Sequence, residues 1–282
     1  MNISLDRRDF LKATAGLAAA SLTAAGPVAG TITKKREIKK AIMYATIGIK
    51  GSVMEKLKAV KEAGFAGVEP MSHMDQDEVM KALDATGLKA ASVCCNTHWG
   101  KPLSHADEAV RAEGVAGLQQ ALRDAKRYGA TSVLLVPGVV NKDVCYDDCF
   151  KRSAAEIRKV TPLAEELGVK IAIEIVWNNF ITKPEQAPEY MDAIGSPQVG
   201  WHFDVGNVIK YSPPETWIPV LGKRILKLHI KEYSKEKAAE AKNEGAGFGV
   251  RFFEGSNNWP AIMKALDGVG YSGWGISEQP GD

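Results

Sequence analysis

The sequence is poor in cysteine and has almost no excess of charge of one sign. Its 36 lysines and arginines and 34 aspartates and glutamates leave a formal net charge of +2 over 282 residues. The chain therefore lacks the basic field that drives binding to a phosphate backbone, and nucleic acid is a poor candidate partner. The four cysteines do not have the spacing of a zinc site. We interpret them as small packing residues, with a bridge from Cys95 to Cys145 or Cys149 as the alternative.

Linkers are also absent from most of the chain. No stretch rich in proline, glycine or serine interrupts residues 38–282, which predicts a single domain. The composition is 45% apolar and 25% charged, which is typical of a globular protein. A domain of this length can bury a large core.

The N-terminus has a different character from the rest of the chain. Arg7 and Arg8, within residues 6–12, resemble the paired arginines of a twin-arginine export signal. A small-residue apolar stretch follows at 13–25 and is too short for a stable membrane anchor. Residues 25–30 suit cleavage by a signal peptidase. We therefore predict that residues 1–30 are removed, that residues 31–282 form the mature domain, and that it works in the periplasm or outside the cell.

Strand and helix signals alternate steadily after the export signal. Eight units in roughly 245 residues favour a closed, single (β/α)8 TIM barrel over an open sheet. The predicted strands lie at 40–48, 67–71, 89–99, 131–138, 170–177, 199–205, 225–232 and 273–278. The predicted helices lie at 52–64, 75–87, 106–129, 147–168, 185–194, 214–222 and 259–268.

Two predicted strands carry ionisable residues on one side and apolar residues on the other. Side chains alternate across a strand, so His202 and Asp204 share one side of the strand at 199–205. Lys227, His229 and Lys231 share one side of the next strand. Because buried ionisable groups are costly unless they are paired, these strands indicate a common metal or substrate centre.

Other polar residues cluster at the ends of predicted strands, where the active sites of such barrels lie. Four of the five histidines do so: His73, His98, His202 and His229. Four acidic residues do the same: Glu69, Glu174, Asp204 and Glu278. We predict that Glu174, Asp204, His229 and Glu278 form a metal cage, because three carboxylates and one imidazole suit Mn²⁺, Mg²⁺ or Co²⁺. The alternative is a buried salt-bridge network that uses Lys227 or Lys231.

This set of residues resembles the xylose-isomerase-like sugar isomerases and epimerases. In that family one divalent ion is held by Glu, Asp, His and Glu from strands five to eight, which correspond here to Glu174, Asp204, His229 and Glu278. Shorter matches lie at residues 67–69, 228–231, 254–259 and 270–274. Many relatives have a histidine three residues after the aspartate ligand that corresponds to Asp204, and this chain has Asn207 at that position. The segment at 233–253 is long enough to form a lid.

The resemblance implies a metal-dependent isomerase or epimerase of a keto sugar. Glu174 and Glu278 would transfer the proton beside the carbonyl through an enediolate. Mn²⁺ is the expected ion, with Mg²⁺, Co²⁺ and Zn²⁺ as alternatives. We expect the substrate to be contacted by His202, Lys231, Arg251, Glu69, His98 and Trp177. Trp99 and Trp177 lie at strand ends, where an indole face can stack on a sugar, but packing is the favoured interpretation of both.

Export points to a sugar without a phosphate group, because phosphorylated sugars are scarce outside the cytoplasm. A lyase that acts on 3-keto-glycosides would begin with the same proton abstraction and is the main alternative. An apurinic endonuclease shares this barrel but needs more histidines and a basic surface. A non-catalytic sugar-binding protein would not need both Glu174 and Glu278. The resemblance also admits a homodimer.

Overall fold

Nine strands alternate with helices along residues 37–279, the part of the chain that the computed structural model describes. The predicted signal peptide, residues 1–30, lies outside these described residues. The strands are β1 (Ile38–Met43), β2 (Gly67–Glu69), β3 (Lys89–Ala90), β4 (Val93–Cys94), β5 (Ser132–Leu135), β6 (Lys170–Ile173), β7 (Val199–Asp204), β8 (Ile225–Ile230) and β9 (Gly273–Ser277).

All strand pairs are parallel, in the order β3-β2-β1-β9-β8-β7-β6-β5-β4. The two ends of this order, β3 and β4, are short parts of the third predicted strand, divided at Ala91 and Ser92. We call each of the eight strand positions around the barrel a stave. A parallel bridge between Met71 and Cys94 joins the second stave to the third beyond that division. The nine strands thus form a nearly closed barrel of eight staves, and the predicted (β/α)8 fold is confirmed.

Seven of the nine α-helices in the described residues lie within about two residues of the ranges that the sequence predicts, and the two short helices at 205–208 and 235–240 were not predicted. In chain order, the helices are α1 (Val53–Glu62), α2 (Gln76–Thr86), α3 (Glu108–Tyr128), α4 (Tyr146–Leu167), α5 (Gln186–Ile194), α6 (Val205–Val208), α7 (Pro214–Leu221), α8 (Lys235–Glu240) and α9 (Trp259–Gly268). Side chains of Ser52, Asp75 and Asp107 accept backbone N–H groups at the starts of α1, α2 and α3. Because these capping residues can be recognised in the sequence, the predicted starts of the three helices lie close to the observed ones.

The strands are shorter than predicted at their carboxyl ends. β6 ends at Ile173 rather than near residue 177, and β5 ends at Leu135 rather than near residue 138. The third stave stops at Cys94, so Trp99 lies beyond it and is half exposed. Apolar residues continue past each strand because they pack under the loops, and the apolar pattern alone does not show where strand pairing stops.

Most of the core lies between the sheet and the surrounding helices. Leu57, Leu118, Ile157 and Trp217 project from α1, α3, α4 and α7 into one continuous cluster. A small separate cluster of Ala41, Ala91 and Ile276, with Met43 and Trp274 packed on it, contains residues of the first, third and last staves.

The four cysteines are free thiols. Cys94, Cys95 and Cys149 are buried, and Cys145 is exposed. The packing interpretation therefore describes the three buried residues, and the alternative bridge from Cys95 is not formed. Along the described part of the chain, from residue 37 to 279, no helix combines the length and the apolar character needed to cross a membrane.

Candidate metal centre

Four consecutive staves bring the predicted quartet together at the carboxyl end of the barrel. Glu174 follows β6, Asp204 ends β7, His229 lies in β8, and Glu278 follows β9. One candidate ligand atom from each side chain lies within 4.8 Å of the others. The quartet is buried apart from Glu278, whose side chain is 19% exposed. The cluster is therefore reached through the side of Glu278.

The ring of His229 lies at the centre of this cluster. Its Nδ1 atom is 2.9 Å from Glu174 Oε1 and 2.9 Å from Glu278 Oε2. Asp204 Oδ2 lies 3.8 Å from the same nitrogen. The opposite nitrogen, Nε2, is 2.9 Å from Glu69 Oε2. Nδ1 therefore faces the quartet, and Nε2 faces Glu69.

The backbone fixes one oxygen of Asp204 and leaves the other pointing into the cluster. Oδ1 accepts hydrogen bonds from the N–H groups of Gly206 at 2.7 Å and Asn207 at 2.9 Å, so Asp204 caps the short helix α6. Oδ2 is buried and has no hydrogen-bond partner. A buried carboxylate oxygen without a donor is costly, and it is an available ligand for a cation.

Lys231 supplies positive charge beside two of the carboxylates. Its Nζ atom is 3.0 Å from Glu278 Oε2 and 3.5 Å from Asp204 Oδ2. Lys227 is different: its Nζ atom donates to Thr131 Oγ1 at 2.9 Å. The alternative salt-bridge network thus involves Lys231 and not Lys227. One ammonium balances only one of the three carboxylates.

Burial and mutual repulsion shift the acid–base properties of the cluster. Burial raises the pKa of Glu174 and raises that of Asp204 well above its usual range, although nearby positive charge opposes both shifts. Burial alone would raise the pKa of Glu278 as well, but His229 and Lys231 outweigh it and lower that pKa. Burial alone would lower the pKa of His229, but Glu278, Glu69 and Glu174 raise it well above its usual range.

The donor set fits a divalent ion. Three carboxylates and one ammonium leave two uncompensated negative charges when His229 is neutral. An ion of charge +2 would neutralise them and would satisfy the free oxygen of Asp204. Oxygen-rich sets with one imidazole suit Mn²⁺, Mg²⁺ and related ions, and a thiolate-rich set would suit structural zinc.

Two residues that are predicted to contact the substrate, Glu69 and His202, lie against the ring of His229. Glu69 is fully buried against Nε2 of that ring, on the side away from the quartet. His202 is also fully buried, and its ring centroid is 4.2 Å from that of His229. Alternation along a strand predicts the side on which these residues lie, but it does not predict that they contact the ring of His229.

Three further predicted residues lie around the cluster or apart from it. His98 is buried, its Nδ1 atom accepts the Val136 N–H at 3.3 Å, and burial lowers its pKa to about 4, so the ring is neutral. Trp177 packs against Phe248 with ring centroids 5.0 Å apart. Arg251 lines a separate cavity of about 720 Å³ whose lining includes no member of the quartet.

Residues 233–253, which the sequence predicts as a lid, are held against the barrel by several hydrogen bonds, and we call them the wall segment. It contains α8 and a 3-10 turn at Glu244–Phe248. The carboxylate of Glu232 accepts hydrogen bonds from the Phe253 N–H at 3.0 Å and from Trp259 Nε1 at 2.6 Å. Gln279 Nε2 donates to the carbonyl of Phe248 at 2.7 Å. Phe248 in turn packs over the ammonium of Lys231, 4.9 Å from the ring centroid.

Sequence analysis missed Glu232, Gln279 and Phe248. Glu232 directly follows Lys231, and Gln279 directly follows Glu278, so their positions next to predicted site residues were the available signal. Their partners are 21 to 31 residues away in the chain, and no local pattern identifies such pairs.

Comparison with known proteins places this barrel and its metal-type cluster in a family. Residues 57–282 match the family model described as Xylose isomerase-like TIM barrel, and the chain belongs to that family. Residues 4–24 match the signal sequence of the twin-arginine translocation pathway, so the protein is exported across the membrane to the periplasm.

Several of the similar proteins are sugar epimerases. The L-ribulose-5-phosphate 3-epimerase UlaE of Escherichia coli O157:H7 is 26% identical over 216 residues, which cover 71% of this chain and 75% of that protein. The structure of 3-keto-D-glucoside 4-epimerase, YcjR, from E. coli has a TM-score of 0.73 at 16% identity and covers 86% of this chain and 92% of that one. A structure of L-ribulose 3-epimerase has a TM-score of 0.72 at 22% identity, with 87% and 82% covered. At these identities the structural likenesses establish the shared fold.

Proposed function

We propose that the protein is a divalent-metal-dependent isomerase or epimerase of a keto sugar that carries no phosphate group. The observation that carries the proposal is the convergence of Glu174, Asp204, His229 and Glu278 within 4.8 Å. Three of the similar proteins are epimerases of ribulose 5-phosphate, of ribulose and of a 3-keto-glucoside, which supports an enzyme of the sugar isomerase and epimerase class.

The four residues of the quartet would hold the ion. When bound, it would polarise the sugar carbonyl and acidify the neighbouring C–H bond. Mn²⁺ is the ion that we propose, because it accepts oxygen ligands together with one imidazole, and Mg²⁺, Co²⁺ and Zn²⁺ remain alternatives.

Glu174 and Glu278 are the proposed proton-transfer residues. They extend from different staves on either side of His229, and each has an oxygen 2.9 Å from its Nδ1 atom. One carboxylate would remove the proton from the carbon beside the carbonyl. The other would return a proton to the opposite face of that carbon, which gives epimerisation, or to the adjacent carbon, which gives isomerisation.

Two other residues are proposed to contact the sugar. The ammonium of Lys231, 3.0 Å from Glu278 Oε2, would donate a hydrogen bond to a substrate oxygen. The ring of Trp177 would offer an apolar surface beside Phe248. His98 is a buried, neutral imidazole, because burial lowers its pKa to about 4. Glu69 and His202 are fully buried, so we assign them a supporting role rather than contact with the substrate.

The absence of a phosphate group on the substrate follows from export. UlaE is named for a phosphorylated sugar, but this chain carries a twin-arginine signal sequence at residues 4–24. Phosphorylated sugars are scarce outside the cytoplasm. A free keto sugar or an oxidised glycoside therefore fits this location better.

A lyase that acts on 3-keto-glycosides is the second candidate. It would remove the same type of proton and then expel the substituent on the neighbouring C1 carbon. The similarity in fold to 3-keto-D-glucoside 4-epimerase favours this candidate, since that protein is named for a 3-keto-glucoside. Release of the aglycone distinguishes this reaction from epimerisation.

Proton NMR in D₂O with Mn²⁺ tests both candidates. Free ketoses and 3-keto-glycosides are incubated with the exported protein, and deuterium is expected beside the carbonyl of the true substrate. Glu174→Gln should lose the exchange. Glu156→Gln is the matched control, because Glu156 is equally buried at 4% but pairs with Arg111 at 3.0 Å in another part of the barrel.

The outcomes separate the candidates. Exchange with interconversion of ketoses supports the isomerase or epimerase, and release of an aglycone supports the lyase. Full exchange in Glu174→Gln would remove Glu174 from the mechanism. Sugar binding with no exchange in any substrate would point instead to a binding protein and would contradict the proposal.

A further inference from the structure

We propose that Glu69 is a positioning residue that fixes the tautomer of His229, and so fixes which ring nitrogen offers its lone pair to the ion. This inference rests on the proposed metal-dependent function. Glu69 belongs to the second stave and lies 160 residues from His229 in the chain. It is outside the quartet and has no place in the proton transfer described above.

The first step of the argument is the direction of the hydrogen bond. An ionised carboxylate only accepts, so without an ion the 2.9 Å contacts of Nε2 with Glu69 and of Nδ1 with Glu174 and Glu278 place a proton on both ring nitrogens. An ion held by the quartet would replace the proton on Nδ1, whereas the contact with Glu69 Oε2 would keep the proton on Nε2. In a neutral imidazole the other nitrogen then carries the lone pair. That nitrogen is Nδ1, the atom that faces Glu174 and Glu278. Glu69 therefore selects the tautomer that can bind a cation within the quartet.

The second step is the balance of charge in the barrel interior. Glu69 is fully buried, and its charge needs a partner other than the ion of the quartet. Lys227 lies in the same strand as His229 and is also buried, and its Nζ atom donates to Thr131 Oγ1 at 2.9 Å. When the ion is bound and both histidines are neutral, Lys227, Lys231 and the ion would carry four positive charges, which equal the four negative charges of Glu69 and the quartet. Glu69 can remain an acceptor in this arrangement.

The third step is the packing of the His229 ring. The ring of His202 meets it at 67°, with the centroids 4.2 Å apart, which restricts rotation of His229. The second oxygen of Glu69, Oε1, has no hydrogen-bond partner and is 4.0 Å from His202 Nδ1. Glu69 and His202 thus hold the ring from two sides while Nδ1 remains open to the quartet.

The test compares Glu69→Gln with a matched control, Glu232→Gln, in the mature exported protein. Both glutamates are fully buried, but Glu232 accepts hydrogen bonds from the wall segment and from Trp259 Nε1 at 2.6 Å. A glutamine at 69 is neutral, so its oxygen accepts from Nε2–H more weakly than a carboxylate does, and its NH₂ group can instead donate to Nε2 and favour the tautomer with the proton on Nδ1. Mn²⁺ affinity should fall about 10- to 100-fold in Glu69→Gln, and its Co²⁺ absorption spectrum should change.

Glu232→Gln should lower the melting temperature of the protein but leave Mn²⁺ affinity and the Co²⁺ spectrum unchanged. Wild-type Mn²⁺ affinity and an unchanged Co²⁺ spectrum in Glu69→Gln would overturn the inference. So would two ions per wild-type chain, because a second ion held by Glu69, His202 and His229 would occupy Nε2. If the wild type binds neither Mn²⁺ nor Co²⁺, the proposed function fails and this inference fails with it.

A second measurement keeps the inference testable if Glu69→Gln does not fold. The wild type labelled with ¹⁵N-histidine and loaded with diamagnetic Zn²⁺ reports the tautomer of His229 by NMR. A proton on Nε2 is expected, and a proton on Nδ1 would overturn the inference. Deuterium exchange into a keto sugar, measured on the same sample, tests the proposed function separately.

Discussion

Asp204→Asn should abolish the stabilisation of this protein by Mn²⁺ while leaving the metal-free fold intact. Asn retains an oxygen that can accept from the N–H groups of Gly206 and Asn207, which Oδ1 of Asp204 accepts at 2.7 and 2.9 Å. The substitution changes only the second oxygen, Oδ2, which has no hydrogen-bond partner and points into the quartet. It therefore removes a proposed ligand atom without removing the helix cap.

The expected magnitude follows from mass action. An ion that binds only the folded state stabilises it by about 2.7 kcal/mol at a free concentration of 100 times its Kd. For a domain of this size, 1 kcal/mol shifts the melting temperature by about 2–4 °C. The wild type should therefore melt about 5–10 °C higher with Mn²⁺ than after chelation, and Asp204→Asn should show little or no shift.

The metal-free variant should melt at or above the wild-type temperature. Burial raises the pKa of Asp204 well above its usual range, because the ionised form is desolvated beside Glu278 and Glu174. A neutral amide removes that cost and part of the repulsion within the quartet. Differential scanning calorimetry with Mn²⁺ and with EDTA measures both effects.

Asp124→Asn is the control for this experiment. Asp124 is also fully buried, but it accepts from the His73 N–H at 2.8 Å and from Gln120 Nε2 at 2.8 Å, away from the quartet. That variant should melt lower but keep the full Mn²⁺ shift. A wild-type shift in Asp204→Asn would refute the assignment of the ion to the quartet.

Two further predictions concern stability. Burial lowers the pKa of His98 to about 4 in the folded protein, against 6.5 for the free side chain. The stability that depends on a neutral His98 is therefore fully present above pH 6.5 and is lost as the pH falls towards 4. Urea unfolding should therefore show a loss of about 3 kcal/mol in the free energy of unfolding over this pH range. The loss should be absent in His98→Gln and present in the control His105→Gln. If the free energy of unfolding changes equally with pH in the two variants, His98 is not its cause. Gly255→Ala would place a Cβ atom 2.4 Å from Glu232 Oε1 and should destabilise by about 1–3 kcal/mol and expose the wall segment to proteolysis. Gly268→Ala meets nothing within 4 Å and should be neutral or stabilising, so similar losses in both glycine variants would count against a steric cause.

The quartet could be predicted because its members obey a local rule. Parallel strands in a barrel carry their functional residues to the same end, and alternation along each strand fixes the side on which a residue lies. Asp204 and His229 have apolar neighbours on the opposite side, which identified their direction. Glu174 lies among aliphatic residues, which identified its burial.

Depth within the barrel could not be predicted in the same way. Glu69 and His202 share the inward side with the quartet, but both are fully buried against the ring of His229. The register between neighbouring strands sets that depth, and the pairing of Asp204 with His229 is one example. Arg251 is a related case, because its position depends on how the wall segment folds.

The sequence by itself determined the barrel, its helix starts, the export signal and the direction of the four candidate ligands, because caps, periodicity and short motifs are properties of neighbouring residues. Only the tertiary structure decided that the third stave is divided, that Glu232 and Gln279 hold the wall segment, and that Glu69 supports His229. These contacts join residues up to 160 positions apart. Their geometry depends on strand register and loop packing, which no local pattern encodes.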